Sequence, residues 1–179
     1  MFFSQVEGHK EIKEKLINTV SQQRISHAQM FAGPEGSAAL PLAMAYARYI
    51  FCQNPGAEDS CGTCISCKQI SAHSYPDLHF IYPVAQNKDV KDSKPTSEMF
   101  LKSWNELIDK QIYFDYIHWI SHIDVEKKND INTEAEYVSV LTSSDQSRNQ
   151  IFQAFIDTKK QRSIISKRIE TSGFAVTTL

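Results

Sequence analysis

The segment Ala28-Gln29-Met30-Phe31-Ala32-Gly33-Pro34-Glu35-Gly36-Ser37 constrains the fold more than any other stretch of the chain. A short apolar run leads into a Gly/Pro turn, and the turn opens a long apolar helical pattern. Strand, glycine turn and helix in that order, followed by another strand, open a parallel α/β sheet. The same unit is where a phosphate loop sits. A working loop reads G-x-x-x-x-G-K-[ST]: backbone N–H groups cradle phosphates, Lys reaches the outer ones and the hydroxyl holds Mg²⁺. Counted from Gly33, Ala38 stands where the last Gly belongs, Ala39 where Lys belongs and Leu40 where the hydroxyl belongs. The five positions Gly33, Gly36, Ala38, Ala39 and Leu40 therefore read as a degenerate loop. The pattern predicts a nucleotide-binding fold that binds no ATP and has no intrinsic activity.

Around this unit the periodicity predicts a helix over 7–22, with Ile12, Leu16 and Val20 on one face. Ala28–Ala32 reads as a buried strand. A second helix runs over 37–51, with Ser37 as its N-cap and Leu40, Met44, Ala47 and Phe51 as one stripe. Pro41 is tolerated there because first-turn N–H groups lack helical partners. A short helical run covers 68–73, and residues 77–82 form a second strand. Residues 86–97 read as a mobile polar loop by composition. Phe100, Trp104, Leu107 and Ile108 mark a third helix, and helical spacing continues over 113–124. Residues 125–132 form a charged loop. In the tail, Ile151, Phe152, Phe155 and Ile156, then Ile164, Ile165 and Ile169, recur at helical spacing.

All four cysteines of the 179-residue chain fall within sixteen positions, as Cys52, Cys61, Cys64 and Cys67. Four thiolates match the tetrahedral preference of structural zinc. The C-x2-C-x2-C run lets three sulfurs converge from one turn, and Gly62 eases the backbone there. An iron–sulfur cluster is the second reading, although that run continues with x3-C-P and here Ser71 takes the place of the cysteine. Disulfides are the third, disfavoured in a reducing compartment. Four sulfur ligands leave no open position, so the ion holds a loop and activates no water.

The remaining candidates have plain explanations. His118 and His122 are spaced i, i+4 but lack the Glu of H-E-x-x-H, and read as solvent-facing. His27 suits a turn hydrogen bond, and His9 a surface role. Lys13, Lys15, Arg24, Lys127 and Lys128 are too scattered for a DNA track. With a formal charge of −2, the chain advertises neither a nucleic-acid nor a membrane surface. No run of 18 apolar residues occurs and the start has no signal-peptide pattern, which predicts a cytoplasmic protein.

Arg24-Ile25-Ser26-His27-Ala28, Gly33-Pro34-Glu35-Gly36, the four-cysteine module and Tyr75-Pro76-Asp77-Leu78 form one combination. In it the chain resembles the delta-prime subunits of the bacterial DNA polymerase III clamp loader, members of the AAA+ family. The likeness covers about residues 5–82, with softer similarity to roughly 140. It implies an α/β fold: an incomplete P-loop/AAA+ RecA-like, three-layer parallel sheet, with a zinc module at 52–67 inserted after the loop helix. Residues 1–140 become the N-terminal part of that domain and 141–179 a mostly helical tail. Delta-prime proteins characteristically lack a competent P-loop, which Ala38-Ala39-Leu40 fits.

The implied role is a stationary, non-catalytic component of a DNA-directed DNA polymerase holoenzyme, a nucleotidyltransferase. Its implied partners are the ATPase and delta subunits of the loader, with the sliding clamp and primed DNA reached indirectly. Two other readings stand beside it: an ATP-hydrolysing loader subunit or other P-loop ATPase, and a stand-alone zinc-binding adaptor. The family's arginine finger lies in a Ser-Arg-Cys motif that this chain lacks, and the role does not transfer to Arg148. Only two strands are evident, and the lid and oligomerisation regions are missing. The expectations are therefore self-association or marginal stability, and no support of clamp loading by this chain alone.

Overall fold

The computed structural model describes residues 1–26, 28–34, 36–91, 95–111 and 113–124, and the strands at 137–140, 152–156 and 175–178. His27, Arg148, Ile151, Ile164, Ile165, Ile169 and the expected loop at 125–132 lie outside the described residues. The elements are α1 (Lys10–Ser21), β1 (Ala28–Ala32), α2 (Ala39–Phe51), α3 (Ile65–Ser71), β2 (Leu78–Ile81), α4 (Leu101–Lys110), α5 (Tyr116–His122), β3 (Tyr137–Val140), β4 (Phe152–Ile156) and β5 (Ala175–Thr178). Short 3₁₀ turns at Phe3–Gln5 and Ser97–Phe100 precede α1 and α4.

The strands form one five-stranded sheet in the order β2-β3-β4-β1-β5. β1 lies parallel between β4 and β5, with Met30 opposite Phe155 on one side and Val176 on the other. β3 runs antiparallel to both β2 and β4. The other four strands therefore share one direction and β3 opposes them, so the all-parallel sheet expected from the βαβ opening is corrected to a mixed one. The short connection across 141–151 suits this arrangement, because antiparallel neighbours accept short links whereas parallel ones need a crossover of a dozen residues or more.

Phe152–Ile156 is a strand, not the helix its spacing suggested. A five-residue, mostly apolar segment fits either period. The decision comes from β1, whose backbone groups need partners on both sides, and β4 supplies one set. The sheet thus has five strands where two were evident from the sequence, and β2 and β5 are its edges.

Helix α2 is the hub of the core. It packs against α1, α3, β1 and β4, and all of its residues but Met44 and Ile50 are buried. The expected single stripe is corrected to burial nearly all round, as befits a helix apolar on every face save for Arg48. Ala39, Ala43, Ala45 and Ala47 keep the side chains small, which lets neighbours approach closely. Ser37 does not cap it: Ala38 holds the N-cap position without a side-chain bond. Tyr46, fully buried, shares a 2.6 Å hydrogen bond with Thr19 of α1, and burial raises its pKa.

A second focus is aromatic. Tyr82 stacks on Trp104 at 4.1 Å and 11°, and Trp119 meets both rings edge-on at 4.9 and 5.2 Å. The Trp119 indole donates to the Pro83 carbonyl at 2.7 Å, a buried bond that ties α5 to the segment after β2. Replacing Trp119 by Phe orphans that carbonyl and leaves a void. The expected loss is about 1–3 kcal/mol from the unmade bond alone, read as a lower urea midpoint.

Candidate metal centre

Three local features bring the cysteines together. Helix α2 ends at Phe51, and Cys52 leaves it in extended conformation, buried. Gly62 turns the chain at φ +71, a conformation that L side chains rarely adopt. Cys64 then caps α3, its sulfur accepting the Cys67 N–H at 3.4 Å. The same N–H···S pattern links Cys64 N–H to Cys61 Sγ at 3.4 Å and Cys61 N–H to Cys52 Sγ at 3.2 Å. All four Sγ atoms lie within 4.8 Å of one another.

Tetrahedral zinc at ~2.3 Å needs sulfurs roughly 3.8 Å apart, so a small contraction of this cluster encloses an ion. The donor set can hold a metal, and it is the one group of three or more metal-ligating side chains among the described residues. Backbone N–H groups of Cys64 and Thr63 hold the Cys61 thiol down at about 6, whereas burial pushes Cys52 up to about 12.

The module is bolted to the N-terminal segment. Asp59 accepts hydrogen bonds from the Phe3 and Ser4 N–H groups at 3.2 and 2.9 Å, and from Ser60 N–H at 2.8 Å. Tyr49 of α2 donates to the Gly56 carbonyl at 2.8 Å and packs its ring on Phe3. The Phe2 ring covers Gly62 so closely that a Cβ there would come within 3.0 Å of it. Asp59→Ala removes a carboxylate serving three N–H groups. It should cost about 1–2 kcal/mol, and amide exchange at Phe3 and Ser4 should speed up while Trp104 and Trp119 stay protected. Neither Asp59 nor Arg48, which stacks on Phe2, was singled out from the sequence. An arginine inside an otherwise apolar helix was the available signal for Arg48.

At the glycine turn, Ser37 N–H bonds to the Pro34 carbonyl at 3.1 Å and Gly36 sits at φ +72. Gly33 is half-buried, and Ala38, Ala39 and Leu40 are 4, 5 and 8% exposed within the core. Leu40 stands at the hydroxyl position and packs with the core instead. The histidine pair is not assembled: His118 is exposed and turned to Asp115 at 2.7 Å, and His122 lies against Trp119. His9 is half-buried and precedes α1 without a side-chain cap. Lys13 is engaged by the Val6 carbonyl.

A family model described as "DNA polymerase III, delta subunit" matches residues 8–152. The chain belongs to this family. Within it, the chain is similar to DNA polymerase III subunit delta′ of Bacillus subtilis, 31% identical over 127 residues, which is 71% of this chain and 36% of that protein. It is similar also to subunit tau of the same organism, 27% identical over 119 residues, 66% of this chain and 21% of tau. To subunit delta′ of Pseudomonas aeruginosa it is 32% identical over 66 residues, 37% of this chain and 20% of that one. The chain thus spans about a third or less of the lengths of these relatives. No helix among the described residues is long and apolar enough to cross a membrane.

Proposed function

We propose that this chain forms the N-terminal part of a delta-prime-type subunit of a DNA polymerase III clamp loader, which helps place the sliding clamp on primed DNA during replication. It does so as a cytoplasmic scaffold within the holoenzyme, without turning over nucleotide. Its domain is AAA+ and RecA-like and takes in β4 and β5 beyond residue 140, with the cysteine module at 52–67 as an insert. The observation that carries the reading is the state of the degenerate loop in a chain of this family. Where a competent loop presents Lys and a hydroxyl to phosphates, Ala39 and Leu40 are apolar and buried in the core.

The ion that fits the cysteines is zinc. Cys52, Cys61, Cys64 and Cys67 are soft donors in the number and closeness that a closed tetrahedral site needs. Such a site supplies structural cross-linking and offers no position for a substrate. Here it fastens the end of α2 and the start of α3 to the N-terminal turn through Asp59.

The partners in this reading are the delta and tau-type subunits of the same loader. Purified delta and tau subunits mixed with the full chain should co-elute with it from a size-exclusion column. Separate elution of all components at micromolar concentration overturns the assignment and leaves a stand-alone zinc-binding adaptor as the better reading.

A further inference from the structure

β2 is an outermost strand of the sheet and pairs with β3 on one side only. Such an edge presents N–H and C=O groups that another chain can extend, the Leu78 N–H excepted, which bonds to the Tyr75 carbonyl at 3.3 Å. All four of its residues, Leu78, His79, Phe80 and Ile81, line a groove of about 1110 Å³. Successive strand side chains point to opposite faces. A groove touching all four therefore opens onto the edge of the strand, not onto one face of the sheet. Its volume lies above the range of about 300–1,000 Å³ usual for small-molecule sites.

Arg48 lines the same groove. It is 3% exposed, and its Nε is buried without an acceptor. Its guanidinium carbon lies 3.9 Å above the Phe2 ring centroid, and no carboxylate forms an ion pair with it among the described residues. Buried arginines are ordinarily paired, and a ring face attracts a cation without neutralising it. Of the two carboxylates that line the groove, Asp109 is engaged by His73 at 2.9 Å, and Glu98 is exposed to solvent. Among the described residues no carboxylate completes Arg48, and an occupant of the groove can supply one.

We propose that the groove takes an extended acidic peptide of a partner protein, which adds as a strand to the free edge of β2 and sets one carboxylate on Arg48. Main-chain bonds along the edge supply affinity, and alternate side chains enter the apolar walls at Met44, Ile70 and Ile108. The carboxylate fixes the register by a charge-assisted bond to the guanidinium. The four residues of β2 span roughly 13 Å, room for about four residues of added strand. The proposal stands apart from the clamp-loader reading.

The test is an NMR titration of the ¹⁵N-labelled full chain with the capped hexapeptide Thr-Val-Asp-Val-Thr-Val. Its controls are the same peptide with Asn for Asp, and two versions N-methylated at alternate amides, one for each register. Shifts should concentrate at the amides of residues 78–81 and at the Arg48 Nε–H. The Asn peptide should bind at least tenfold more weakly, one N-methylated version should lose binding, and Arg48→Gln should bring the Asp peptide down to the Asn level. If Arg48→Gln fails to fold, the peptide comparisons decide alone. No binding at millimolar peptide, equal affinity of the Asp and Asn forms, or undiminished binding of both N-methylated forms overturns the proposal. So does an identical Arg48 shift from sodium acetate or inorganic phosphate at the same concentration, which would mark a small-anion site.

Discussion

Changing Cys61 and Cys64 together to Ser should strip the metal from the chain and lower its melting temperature by about 8–16 °C. A structural ion binds the folded chain and not the unfolded one, so its binding free energy is folding free energy. A site held at a thousandfold excess over its dissociation constant contributes about 4 kcal/mol, and each kcal/mol moves Tm by roughly 2–4 °C at this size. The loss should spread beyond the module, because Asp59 and Gly62 connect it to the N-terminal turn. Elemental analysis should find close to one zinc per chain in the parent and none in the double variant. A parent with visible absorbance and iron in place of zinc overturns the zinc reading. So does a double variant that melts with the parent.

The pH dependence follows with a definite sign. Cys61 is lowered from an ordinary 9.0 to about 6. Its contribution is full above about 9 and fades as the pH falls through 6. Protons compete with the ion for every thiolate, so zinc retention should fall on the acid side. A chelator-release assay from pH 8 to pH 5 reads this directly.

Mg-ATP should bind with a dissociation constant weaker than millimolar, and the full chain should show no hydrolysis above buffer. Two contacts of a competent loop are missing, the Lys to the outer phosphates and the hydroxyl to Mg²⁺. Each charge-assisted bond is worth about 1.5–3 kcal/mol, so their joint loss weakens binding by roughly 10²–10⁴-fold. Isothermal calorimetry settles the point. A micromolar constant would return the chain to the ATP-hydrolysing class and overturn the scaffold reading.

The sequence by itself determined the local devices. The Gly33–Gly36 turn after an apolar run set β1 and the start of α2, because Gly and Pro restrict the backbone regardless of what surrounds them. The spacing of the four cysteines was legible for the same reason: Cys61, Cys64 and Cys67 lie within one turn and a cap, so their convergence needs little from the rest of the chain. The missing Lys was legible because a phosphate grip depends on residue identity.

Tertiary structure alone decided the rest. Whether Phe152–Ile156 coils or extends depends on β1, more than a hundred residues away in sequence, whose backbone needs partners. The reversed direction of β3 and the near-total burial of α2 likewise depend on what lies on each side, and local periodicity reports only one face at a time. The contact of Asp59 with the N-terminal turn and the partners of Arg48 above Phe2 depend on the fold for a related reason. A lone charge in a sequence reads as surface until the fold closes around it, and only then does desolvation make its partner, or the lack of one, matter.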